Sequence, residues 1–166
     1  CKSPLLPWLF QVALTHFGTE RFLPVIHSII PACSIAIGWA IFKTGQQWQG
    51  EDVGIAGLLI YSFLSFCFYP QDMVVISTNL LLTVFTSFAV MLLLQAKHSK
   101  QLLPLAASGI LLGIAFLAKQ TAIFYLIGFC VFFLAEKNLK PAIALVLWSL
   151  IPIVLFLTYL SLHNAL

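Results

Sequence analysis

The sequence predicts an all-α protein: a polytopic transmembrane helical bundle with about six spans and one short interfacial helix. Three observations predict it. Hydrophobic residues make up 61% of the 166 positions and charged residues 8%, where soluble domains run near about 45–50% and about 25%. The mean hydropathy of +1.06 means more apolar surface than a soluble fold of this length can hide. The polar residues are also gathered into short clusters that cut the chain into apolar blocks, most of them near the roughly 20 residues a spanning helix needs. A net charge of +3 with no basic run gives no nucleic-acid signal. Cys1, Cys33, Cys67 and Cys130 lie far apart without CxxC spacing and read as small hydrophobes. The four histidines form no metal-spaced pair.

The first apolar piece, PLLPWLFQVALTHFG (Pro4 to Gly18), is too short to span. Prolines suit its start and Gly18 its stop, and Trp8 favours an interface, so a short helix on the membrane surface is expected. Phe22 to Phe42 gives the first span, flanked by Arg21 and Lys43, with a kink expected at Pro31. KTGQQWQGED (Lys43 to Asp52) reads as an aqueous loop, Val53 to Tyr69 as the second span, and Pro70 to Asp72 as a turn. The third span runs from Met73 to Ala96, interrupted by Ser77-Thr78-Asn79 and closed by KHSK.

Leu102 to Ala135 then offers 34 residues with one polar interruption, Lys119-Gln120-Thr121. As one helix this run would rise about 51 Å through a hydrocarbon core of about 30 Å. It must fold back, giving two short spans, Leu102 to Ala118 and Ala122 to Ala135, with Lys119 at their junction. EKNLK (Glu136 to Lys140) is a further loop, and Pro141 to about Leu162 the last span, with Pro152 inside it. Alternation puts Lys43, Lys97, Lys100, Lys137 and Lys140 on one side, and Lys2, Arg21 and Lys119 on the other. The side with five cations is expected to be cytoplasmic. Lys2, Arg21, Asp72 and Lys119 therefore share the outer face.

Each has a bland reading and a chemical one. Lys2 is an interfacial lysine or a point charge for a lipid-linked phosphate. Arg21 is a snorkelling anchor or a support for the surface helix. Asp72 is a carboxylate at a helix start or a group that orients a sugar hydroxyl, transfers a proton or binds a metal. Gly109 and Gly113, with Ser108 beside them, form a GxxxG pattern whose mechanism is close helix packing. HExxH, GxSxG and P-loop patterns are absent. Since the chain starts at Cys1, without a leader pattern, it reads as a piece of a longer protein.

The order of features resembles membrane-embedded GT-C glycosyltransferases, among them protein mannosyltransferase-like enzymes and lipid A aminoarabinose transferases. KSPLLPWLFQVALTHFG resembles their K-P-P-L-x-x-W/Y-L…F-G segment, with Ser3 in place of the first proline. ERFLPVIHSI resembles their x-R-L/F-P span start. GILLGIAFLAKQTAIF resembles G-L-x-x-G-L-A-x-L-T-K-G/Q, with Ala118 where threonine is usual. The likeness covers nearly the whole chain and implies one GT-C-type transmembrane domain over residues 1–166, whose first span and first outer loop lie upstream.

The resemblance implies transfer of a sugar from a polyprenyl-phosphate donor to a lipid, glycan or protein acceptor at the outer face. The catalytic Asp is expected in the upstream loop, so none lies in this chain. Lys2 matches the lysine expected to contact the carrier phosphate. Asp72 matches the family's acid at the mouth of the third span; in a second alignment Thr78-Asn79 falls on a T-E pair, with Asn79 replacing the acid. Lys119 matches the motif lysine, as a substrate contact or an anchor of the turn. A divalent cation would fit the departing phosphate, and membrane lipids are the other partners. The expected membrane is the bacterial inner membrane. A flippase of lipid-linked sugars and a non-catalytic membrane subunit are the alternative readings; a flippase would show an internal repeat and mid-membrane polar groups, and neither is evident.

Overall fold

In the computed structural model the described residues are 5–68, 78–99 and 101–162, and among them every regular element is an α-helix. The order is α1 (Leu5–Gln49), α2 (Glu51–Phe68), α3 (Thr78–Ser99), α4 (Leu102–Ala118), α5 (Ala122–Ala135) and α6 (Leu139–Leu162). The chain is an integral membrane helical bundle. Among the described residues three stretches are long and apolar enough to cross a bilayer: His27–Gln49, Thr78–Ser99 and Leu139–Leu162. At 17 and 14 residues, α4 and α5 rise about 26 and 21 Å, less than the roughly 30 Å core. The six expected spans are thus three long helices, an 18-residue α2 and a short α4–α5 hairpin.

That hairpin follows the length argument residue for residue, because only Lys119-Gln120-Thr121 leaves the helical path. The surface helix also ends where expected: within α1 the non-helical dihedrals fall at Gly18 (φ 69°, ψ 170°), a left-handed φ that glycine adopts without a Cβ penalty. Pro24 and Pro31 lie within the helix after this break.

The loop expected over Lys43 to Asp52 is corrected. The helix continues to Gln49 and the reversal is made at Gly50 (φ 108°), whose N–H bonds to Gln46 O at 3.2 Å. Lysine and glutamine are good helix formers. Lys43 Nζ donates to Gln46 Oε1 at 2.8 Å, one helical turn on. The two helices stay in contact up to the reversal because both residues at the crossing are glycines: a Cβ on Gly45 would lie 2.8 Å from Gly54 Cα.

The main packed layer has α4 between α3 and α6. Ala89, Leu93, Leu105, Leu112, Ala142 and Leu145 meet there, with Phe133 of α5. The two neighbours of α4 use different small residues. Ser108, fully buried, donates its hydroxyl to Ala89 O of α3 at 2.9 Å, while Gly109 and Gly113 face Trp148, Ser149 and Pro152 of α6. The GxxxG pattern is therefore the α4–α6 seam. α5 packs more lightly, against α6 and α4. Cys33 and Cys130 are free, half-buried thiols within helices, as their apolar surroundings in the sequence suggest.

α5 ends in a Schellman motif, with Asn138 N bonded to Phe133 O and Lys137 N to Leu134 O, both at 2.9 Å. The left-handed position is Lys137 (φ 56°), where glycine is usual. Lys137→Gly is expected to stabilise the detergent-solubilised protein by about 1 kcal/mol, from removal of the left-handed cost. A thermal melt no higher than wild type would refute this account of the turn.

Candidate functional site

The site is built at the end of the bundle where α3 starts and α4 ends. Lys119 follows α4 as a single residue of extended backbone (φ −156°, ψ 127°). Its N–H closes α4 on Ala115 O at 2.8 Å, and its carbonyl accepts from Ala122 N at 3.0 Å as α5 begins. The carbonyls of Gln120 and Thr121 accept from Ile123 N and Phe124 N, both at 3.1 Å, so α5 starts on the carbonyls of the turn itself. The half-buried Lys119 sends Nζ to Asn79 Oδ1 at 2.5 Å. Asn79 lies in the first turn of α3, 40 residues earlier in the chain.

The N-terminal segment of α1 covers the same corner. Trp8 and Leu9 pack with Leu81 of α3 and Ala118 of α4, next to Asn79 and Lys119 in sequence. Trp8 also meets Tyr159 of α6 edge-on, with ring centroids 6.4 Å apart. The start of α1 thus touches α3, α4 and α6 close in sequence to the Lys119–Asn79 pair, and Gln120 and Thr121 are exposed.

Among the described residues the Lys119 ammonium meets the uncharged Asn79 amide and no carboxylate, so they hold it without neutralising it. Of its three donors, one goes to Asn79. Such a group can bind a phosphate or sugar oxygen arriving from the membrane edge. Of the other expected site residues, Lys2 and Asp72 lie outside the described residues. Arg21 lies in α1, after the Gly18 break, and its side chain is outside them. No three of His, Cys, Asp and Glu among the described residues gather to hold a metal ion.

One polar pair escaped the sequence reading. At the opposite end of the bundle Lys97 bonds to Glu136 at 2.5 Å. Both had been placed in loops on the same side, KHSK and EKNLK, and opposite charges at adjoining helix ends were the available signal.

A family model described as dolichyl-phosphate-mannose-protein mannosyltransferase matches residues 1–162. No curated protein and no solved structure matches.

Proposed function

The chain belongs to the dolichyl-phosphate-mannose-protein mannosyltransferase family, a membrane glycosyltransferase family of GT-C type, and from that premise we propose that it forms part of the site that moves a sugar from a polyprenyl-phosphate carrier to an acceptor at the outer membrane face. The acceptor oxygen attacks the anomeric carbon, the bond from that carbon to the phosphate oxygen breaks, and the carrier phosphate leaves with the added negative charge. The acceptor proton passes to the Asp that the resemblance places before Cys1, within the same GT-C-type domain.

The observation that carries this reading is the Lys119–Asn79 hydrogen bond. It ties to the start of α3 a cation that no carboxylate among the described residues neutralises, beside the helix that follows Lys2. In our reading Lys119 and Lys2 stabilise the departing phosphate, Asn79 positions Lys119, Asp72 holds a sugar hydroxyl and Arg21 anchors the surface helix. If Lys97 and Glu136 mark the inner boundary, the rise of α4, about 26 Å, brings Lys119 near or just under the outer one. There an ammonium escapes the cost of mid-membrane burial, about 2.5–3.5 kcal/mol. We place the protein in a bacterial inner membrane.

The test is consumption of a polyprenyl-phosphate sugar by the full-length protein in proteoliposomes, with Lys119→Met as the diagnostic variant. Turnover by Lys119→Met equal to wild type would reject the site. Sidedness is checked separately. Trp48→Cys, beside the Gly50 reversal, and Thr121→Cys should label with a membrane-impermeant maleimide from opposite faces. Labelling of both from one face would reject the topology.

A further inference from the structure

At the end of the bundle away from Lys119 lies a pocket of about 380 Å³ between the α3–α4 and α5–α6 connections. The two ends are well separated: Asn79 and Lys97 both lie on α3, 18 residues apart, or about 27 Å. Polar and apolar groups divide the pocket's lining. Lys97, Lys140, Asn138, Gln101 and Glu136 supply the polar part; Leu102, Leu105 and Phe133 are among the apolar residues. Two lysines against one glutamate leave a net positive lining. Lys97 is paired with Glu136, and its ammonium sits 4.7 Å from the centroid of the Phe132 ring. The Lys140 ammonium and the Asn138 side-chain amide make no hydrogen bond among the described residues.

The rim of the pocket is greasy. Leu102 and Leu103, at the start of α4, are 75% and 79% exposed, the largest exposures among α4's apolar residues. The pocket also lies where α4 and α6 begin, the positive ends of both helix dipoles. A cationic cavity with unpaired donors, flanked by exposed leucines at the membrane edge, matches an amphiphile with an anionic head.

We propose that this pocket binds the headgroup of an anionic phospholipid of the leaflet on the five-lysine side, with its phosphate at Lys140 and Lys97 and its acyl chains along Leu102 and Leu103. Basic pockets between transmembrane helices on the cytoplasmic side are suited to such headgroups. Glu136 competes with the phosphate for Lys97, so the ion pair seen without lipid sets the affinity. The site stands on this end of the bundle alone and is independent of the outer-face reading.

The experiment measures lipid retained on the full-length protein by native mass spectrometry, after extraction from vesicles of equal phosphatidylcholine and phosphatidylglycerol. Phosphatidylglycerol should be retained over phosphatidylcholine. Lys140→Gln should lower that preference about fivefold, one near-surface cation's worth. Glu136→Gln should raise it by freeing Lys97, a gain that misfolding does not imitate. Lys43→Gln, a lysine on the same side but outside the pocket, should leave it unchanged. Equal retention of the two lipids, or a preference that Glu136→Gln fails to raise, overturns the proposal. So does binding of inorganic phosphate without retention of phosphatidylglycerol, which would make this a phosphate site rather than a lipid site. If Lys140→Gln does not fold, Glu136→Gln decides alone.

Discussion

Gly113→Ala is expected to destabilise the protein by about 3 kcal/mol, at the upper end of the cost of overpacking a core by one methyl group. A Cβ built on Gly113 lies 2.2 Å from Ser149 O and 2.5 Å from Pro152 Cγ. Neither neighbour can yield cheaply. Ser149 O belongs to the backbone of α6, and Pro152 is a rigid ring inside that same helix. Relief requires α4 and α6 to separate, which opens the seam along its length, including Gly109, whose Cβ would meet Trp148 Cβ at 2.7 Å. In a bilayer this is costly in a particular way. Lipid tails are as apolar as leucine, so helix association rests on close van der Waals packing rather than on escape from water. Gly128→Ala in α5 is the matched control. Nothing lies within 4 Å of its Cβ, so it should be neutral or gain up to about 1 kcal/mol from the helix preference of alanine. Thermal unfolding of the two variants in the same detergent compares them directly. Equal melting temperatures would mean that α4 and α6 do not meet as described.

The seam also shows what a sequence of this kind can and cannot reveal. GxxxG announced close packing but not the partner, and Ser108 stood beside it as one more small residue. In the fold Ser108 turns to α3 and the glycines to α6. The helix rotates by about 100° per residue, so adjacent positions serve different neighbours. The hairpin at Lys119 was legible because it followed from length against bilayer thickness, a constraint that needs no tertiary information. The polar stretch after Lys43 was misread for a related reason. Polarity says that a segment has left the hydrocarbon, not that it has stopped being helical, and only Gly50 has a turn conformation there. Asn79 and Lys119 were each picked out by resemblance, yet their pairing is a contact across 40 residues. Separate motif matches carry no information about such contacts.

That pairing gives the second large prediction. The family pattern that places Thr78-Asn79 on a T-E pair would put a carboxylate where this chain has an amide. The difference is one of charge, because both side chains accept a hydrogen bond from Lys119. A carboxylate would neutralise the ammonium; the Asn79 amide adds no charge, and among the described residues two of the three ammonium donors have no partner. On the proposed role, Lys119→Met should cut kcat/KM for the polyprenyl-phosphate sugar by about 100-fold, the usual cost of losing one preorganised donor to a developing oxyanion. Lys119→Arg should restore most of it. Asn79→Asp keeps the hydrogen bond but sets an anion against the incoming phosphate. A surface ion pair is worth at most about 1 kcal/mol, so the donor KM should rise about fivefold with little change in melting temperature. A purely structural anchor predicts a different pattern. Asn79→Asp would then leave KM unchanged at the same small change in melting temperature, while Lys119→Met would lower activity only as far as it lowered the folded fraction. The split between KM and melting temperature therefore decides whether Lys119 meets the donor phosphate or only ties α3 to the hairpin.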